Sequence, residues 1–107
     1  MIEKKASEAI EQAVCYELQK IVKEYGATYH SMHEGYAVLK EEVEEAQECV
    51  SNMLYHLSNI WEGVRENKVA FFDIDQCKGF AIALAKEAVQ CAAVCERLHE
   101  TLKGGIE

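Results

Sequence analysis

The chain has 107 residues, half of them hydrophobic and 28% charged, with no proline and a formal net charge of -8. This length gives one domain with a modest core, the composition fits a helical protein, and the acidic balance argues against a nucleic-acid duplex, whose phosphates are held mainly by Lys and Arg. No run reaches the roughly 18–20 apolar residues of a membrane span, and MIEKKASEAIEQ lacks the apolar core of a signal peptide, so a cytoplasmic protein without membrane contact is expected.

The first predicted helix runs from about Ala6 to Tyr25, with Ile10, Val14, Leu18, Ile21 and Val22 at helical spacing and Gly26 as its stop. The second opens at Ser31-Met32-His33-Glu34, a capping box in which the Ser31 hydroxyl accepts from the Glu34 N–H while the Glu34 carboxylate reaches back. Leu39, Val43, Ala46, Val50, Met53, Leu57, Trp61 and Val64 then hold one stripe toward Asn67, with Gly63 as an earlier stop. A turn is expected around residues 66 to 73. Asp73 and Gln76 resemble an N-cap with its reciprocal residue, and Phe72 with Cys77 the accompanying hydrophobic staple. The third helix carries Ile74, Cys77, Ala81, Leu84, Ala88, Ala92, Cys95, Leu98 and Leu102 to Gly104-Gly105. Its small residues imply close approach to a neighbouring helix.

The expected fold is therefore all-α: an antiparallel hairpin of two long helices plus a shorter N-terminal helix, completed by oligomerisation as a dimer or tetramer. Five cysteines, Cys15, Cys49, Cys77, Cys91 and Cys95, lack CxxC spacing and read mostly as reduced core residues.

At about 100° per residue, the glutamates of the second helix separate by face. With Leu57 as the centre of the stripe, Glu42 lies about 60° and Glu45 about 120° away, while Glu41, Glu44 and Glu48 point to solvent. On the third helix Glu87 stands about 80° from the stripe centre, with Gln90 farther out. A carboxylate at Glu42 needs a partner: a basic side chain from a neighbouring helix, a retained proton, or a hard cation shared with Glu45 and Glu87.

HEGYAVLKEEVEEA at 33–46 resembles the HEGYAV-x-x-EE-x-x-E stretch of MazG-like proteins, all-α nucleoside-triphosphate pyrophosphohydrolases, particularly small phage and bacterial members. KEAVQCAAVCERL at 86–98 is similar to a second helix of those proteins. The resemblance covers about residues 31–98 and implies a single MazG-like domain over 1–107 that hydrolyses a nucleoside triphosphate to the monophosphate and pyrophosphate. It implies Mg²⁺, with Mn²⁺ as an alternative, on Glu42, Glu45 and Glu87, with Glu41 as the acid that orients the attacking water. Gln90 takes the place of an expected aspartate among the metal ligands, which removes one anionic ligand. The alternative is a catalytically weakened helical module that binds a nucleotide or another protein. Lys40, Lys78 and Lys86 are candidate phosphate contacts.

Other patterns carry less. A single Glu96-x-x-His99 is short of a di-iron set, which uses two such motifs and two further glutamates. His30 and His33 read as parts of a turn. Cys91, Cys95 and His99 are spread over too great a length of helix for one tetrahedral ion. Tyr36 and Trp61 can stack on a base, but large aromatics at these positions read first as packing.

Overall fold

The computed structural model describes residues 2–105 as three helices, α1 (Lys4–Tyr25), α2 (Met32–Arg65) and α3 (Phe71–Lys103), with no strand among the described residues. None of the helices is long and apolar enough to cross a membrane.

The stops and starts follow local chemistry at most boundaries. Gly26 ends α1 with φ at 94°, a conformation that favours glycine, and donates its N–H to the Val22 carbonyl at 2.8 Å. The N-terminus of α1 lies at Lys4 rather than Ala6. At Ser31 the hydroxyl accepts from the Glu34 N–H at 3.1 Å, the first half of the expected capping box. Gly63 does not end α2, which runs to Arg65; a Cβ at this glycine would crowd the Ala70 methyl at 3.2 Å. The chain then turns through Asn67, at φ 54°.

The start of α3 departs from expectation. The helix begins at Phe71, with Ala70 at its N-cap, so Asp73 sits inside the first turn and caps nothing. Its carboxylate is taken by α2 instead: Oδ1 lies 2.8 Å from His56 Nδ1 and accepts from Asn59 Nδ2 at 3.0 Å. The proposed staple fails with it, because Phe72 is exposed.

α2 and α3 pack along most of their length, and α1 packs on α3 rather than on α2. Along the α2–α3 seam, α2 residues of falling number meet α3 residues of rising number: Gly63 with Ala70, His56 with Asp73, Glu42 with Gln90, Gly35 with Leu98. The seam on α2 is Gly35, Leu39, Glu42, Ala46, Cys49, Met53, His56, Ile60 and Gly63, each buried or half-buried, in alternating steps of four and three. That spacing keeps one face turned to a neighbouring helix. α3 repeats it through Asp73, Cys77, Phe80, Leu84, Glu87, Cys91, Val94, Leu98 and Thr101.

Both expected apolar stripes are therefore offset. Val43, Val50, Leu57, Trp61 and Val64 on α2 and Ile74 and Leu102 on α3 are exposed. The sequence stripe is drawn toward the largest apolar side chains, whereas the α2–α3 contact uses smaller and more polar ones, about 60° around the helix. Trp61 and Tyr36 do not pack within the chain either, and Cys15 and Cys95 are exposed rather than in the core.

α1 is tied on by its C-terminal end. Arg97, buried on α3, donates from Nε to the Gly26 carbonyl at 3.1 Å and from Nη2 to those of Tyr25 and Thr28 at 3.1 and 3.2 Å. Its guanidinium carbon lies 4.0 Å from the centre of the Tyr29 ring. The cation thus satisfies carbonyls left open at the helix end, where the helix dipole favours positive charge. Thr101, fully buried one turn on, accepts from the Tyr29 N–H at 3.0 Å and donates to the Arg97 carbonyl at 2.8 Å.

Candidate functional site

Glu42 occupies a seam position, Glu45 follows one turn later toward the same neighbour, and Glu87 is the seam residue facing them from α3. One carboxylate oxygen from each can be chosen so that all three lie within 4.8 Å of one another. No Lys or Arg pairs with Glu42 among the described residues, so the basic partner expected as one alternative is not what accommodates its charge.

Two features offset the repulsion. Gln90 lies against the cluster; with its amide nitrogen turned inward, Nε2 donates to Glu42 Oε2 at 2.9 Å and to Glu87 Oε2 at 3.2 Å. The second is a raised affinity for protons at two of these carboxyls. Partial burial and then the charge of Glu45 hold the Glu42 carboxyl above the usual range, against an opposing hydrogen bond from Glu87. Glu45 is raised by its hydrogen bond to Glu87 first and by that group's charge second, the pattern of two carboxyls sharing a proton.

The donor set is all oxygen, which suits a hard divalent cation better than zinc. Glu42, Glu45 and Glu87 would each offer one oxygen to such a cation. Turning the Gln90 amide would present its oxygen as a fourth, neutral ligand. Glu41 is exposed on the outer side of α2, where it shares a shallow acidic groove with Glu44, Glu45, Gln47 and Glu48. It adjoins the cluster without belonging to it.

The cluster opens on a cleft of about 510 Å³ between α1 and the α2–α3 layer. Glu42 and Gln90 form one wall, Lys20, Ile21 and Tyr25 of α1 the other, with Tyr29, His30 and Arg97 at the end where α1 is anchored. The cleft exists because α1 leans on α3 alone and stands off from α2. Of the lysines proposed as phosphate contacts none lines it: Lys78 and Lys86 are exposed elsewhere on α3, and Lys40 is paired with Glu44 at 3.0 Å. Lys20 is the lysine that the cleft does offer.

No family model, curated protein or solved structure matches the chain.

Sequence reasoning brought out Glu42, Glu45, Glu87 and Gln90, and the structure gathers them. It missed Lys20, Tyr29 and Arg97, which depend on where α1 docks. It also passed over His56, a nearly buried imidazole stacked on Phe80 with ring centres 5.8 Å apart. A four-three spacing count through Cys49, Met53 and Ile60 would have put His56 on the seam. Glu96, His33 and His99 are exposed and belong to no group of three or more possible ligands among the described residues.

Proposed function

We propose that the chain is a MazG-like nucleoside-triphosphate pyrophosphohydrolase in which Glu42, Glu45, Glu87 and the Gln90 amide oxygen hold Mg²⁺, or Mn²⁺ in its place. The α2 and α3 helices form its antiparallel hairpin, completed by a second subunit. The observation that carries this reading is the convergence of three carboxylates from two helices at the mouth of a cleft large enough for a nucleoside. A bound cation would supply charge neutralisation to phosphate oxygens and a more acidic water. The chain's own residues would do the rest. Glu41, beside the cluster, orients the attacking water and takes its proton; Lys20 offers positive charge to the triphosphate; Tyr25 and His30 offer ring faces to the base. Arg97 is not free for phosphate, since its Nε and Nη2 donors are committed to the end of α1.

A second reading, a catalytically weakened nucleotide-binding or protein-interaction module, is favoured by one observation: Gln90 can bridge Glu42 and Glu87 without any cation. Pyrophosphate release from a panel of ordinary and modified nucleoside triphosphates, with Mg²⁺ or Mn²⁺, separates the two. Turnover that disappears in Glu42→Gln supports hydrolysis. Absence of turnover across the panel, in protein that is folded and stabilised by nucleotide with metal, supports the second reading and sinks the first.

A further inference from the structure

The end of the cleft where α1 is anchored is lined by Tyr29 and Arg97, which are only 2% and 6% exposed. Both carry a polar group that the fold does not use. Arg97 spends Nε and Nη2 on three carbonyls at the end of α1; Nη1, with two further N–H donors, bonds to nothing among the described residues. Tyr29 is fixed by its backbone N–H, which donates to the Thr101 hydroxyl, and by its ring, which lies against the Arg97 guanidinium. Its phenol hydroxyl makes no hydrogen bond among the described residues. Neither group is sealed off, because no unpartnered side-chain nitrogen or oxygen is fully buried among those residues. What surface Nη1 and the hydroxyl keep is on the cleft that both residues line. Donors held this deep need a partner, and the cleft is where one can enter.

The facing wall supplies the complementary group. Glu34 lines the same cleft from α2, next to Gly35, where a Cβ would stand 2.9 Å from the Tyr29 ring. Its carboxylate makes neither the return bond of the capping box nor an ion pair with Arg97. Two donors thus face an acceptor across open space. This end lies seven residues along α3 from Gln90, a rise of about 10 Å, comparable to the reach from a metal-bound phosphate to the far edge of its base.

We propose that the anchored end of the cleft reads the base of the nucleotide and selects guanine. Arg97 Nη1 and the Tyr29 hydroxyl donate to O6 and N7, and the Glu34 carboxylate accepts from N1–H and the 2-amino group. Guanine is the base that offers two adjacent acceptors on one edge and two adjacent donors beside them. Adenine and cytosine would set an exocyclic amino group against Nη1, donor against donor, and a site built on buried donors rejects such a base strongly. The inference rests on the proposed function in taking a nucleotide with its phosphates at the acidic cluster, but it does not require that hydrolysis occurs.

Titration of the unmodified chain with GMP, IMP, AMP and CMP in the presence of Mg²⁺, followed by amide chemical shifts, tests it without turnover. GMP should shift the signals of Tyr29 and Glu34 and bind about tenfold or more tighter than AMP or CMP, with IMP between. Tyr29→Phe keeps the ring against Arg97 and removes only the unused hydroxyl. Its Tm without nucleotide should equal the parent's, while the advantage of GMP over AMP falls by about threefold or more. Glu34→Gln should weaken GMP by about tenfold and IMP, which lacks the 2-amino group, by less. GMP and AMP of equal affinity overturn the proposal, as does the absence of binding by any of the four. A Tyr29→Phe chain that melts lower and keeps the full preference overturns the part given to the hydroxyl. If that variant does not fold, the ratio of GMP to AMP affinity in the unmodified chain still decides. Pyrophosphate release is read separately. Equal release from GTP and ATP overturns the base preference and leaves hydrolysis standing; selective GMP binding by a chain that releases no pyrophosphate does the reverse.

Discussion

At the residue scale, Gln90 has two incompatible uses, and its replacement should separate them. With its nitrogen inward it bridges two carboxylates and makes a cation unnecessary; with its oxygen inward it is a ligand. Gln90→Asp removes the bridge and adds a fourth carboxylate. Without divalent ions the variant should lose about 1 kcal/mol, a low value for a charge-assisted bond because the cluster is half-open to water, and Tm should fall by several degrees. With Mg²⁺ or Mn²⁺ the loss should reverse, giving a larger thermal shift than the parent shows. Calorimetry with and without metal reads both. A variant more stable than the parent in chelator would show that the amide bridge contributes nothing.

Glu42 gives a pH prediction of definite sign. Partial burial and then the charge of Glu45 raise its pKa in the folded chain, and that of Glu45 is raised by its hydrogen bond to Glu87 and then by that group's charge. The folded state therefore binds these protons more tightly than the unfolded one. The stability they contribute is complete below the unfolded carboxylate pKa and is lost as pH rises through the folded values. Asp73 has the opposite sign: hydrogen bonds from His56 and Asn59 lower its pKa, so its contribution is present above the unfolded value and lost as pH falls through the folded one. Glu42→Gln should accordingly gain on the parent in chelator as pH rises from about 4 to about 8, and the gain should vanish with a saturating divalent cation. Melting curves across that range, with no such divergence, would show that Glu42 carries no charge strain.

At the scale of elements, α1 depends on few contacts and should be the first part to come loose. None of its residues is fully buried, and its hold comes largely from Arg97, Thr101 and Tyr29. Arg97→Lys keeps the charge but cannot reproduce a fork reaching three carbonyls, and should cost about 2–3 kcal/mol. Hydrogen exchange should accelerate at Tyr29 and through the last turn of α1, while the middle of α2 stays protected. Uniform acceleration across all three helices would mean that α1 is not a separate unit. Gly35 reports on the next contact: any Cβ there runs into the Leu98 side chain and stands 2.9 Å from the Tyr29 ring. Gly35→Ala should therefore destabilise despite the better helix propensity of alanine.

The same elements show what was legible in the sequence. Gly26 and Ser31 mark their boundaries because a left-handed stop and a hydroxyl cap are local chemistry. Asp73 misled because a carboxylate near a helix start reads as a cap, while its bonds go to His56 and Asn59, 17 and 14 residues earlier. The acidic cluster was legible because Glu42 and Glu45 lie one turn apart and a turn near residue 68 folds Glu87 back onto them. The cleft was not, since nothing in the pattern of α1 says that it leans on α3 and leaves α2 uncovered.

For the whole molecule, the offset of both apolar stripes is the informative departure. Val43, Val50, Leu57, Trp61, Val64, Ile74 and Leu102, read as core, are exposed in a single chain, where Tyr29, Ala93 and Val94 are the only hydrophobic residues fully buried among those described. The α2–α3 seam instead holds Glu42, His56, Asp73 and Glu87, so much of the surface most costly to expose lies outside it. With extents of 59 × 31 × 22 Å, the chain has the proportions of a thin layer. Such a layer should draw much of its stability from association, and stability then depends on concentration. For folding coupled to dimerisation, each tenfold rise in concentration adds about 1.4 kcal/mol per mole of dimer, which should raise Tm by a few degrees. Calorimetry of the unmodified chain at about 5 and about 100 µM should show this shift, and Leu57→Asp should melt lower with no concentration dependence. A concentration-independent Tm for the unmodified chain would mean that the seam and the α1 anchor stabilise it unaided, and that the exposed apolar residues contribute nothing to folding.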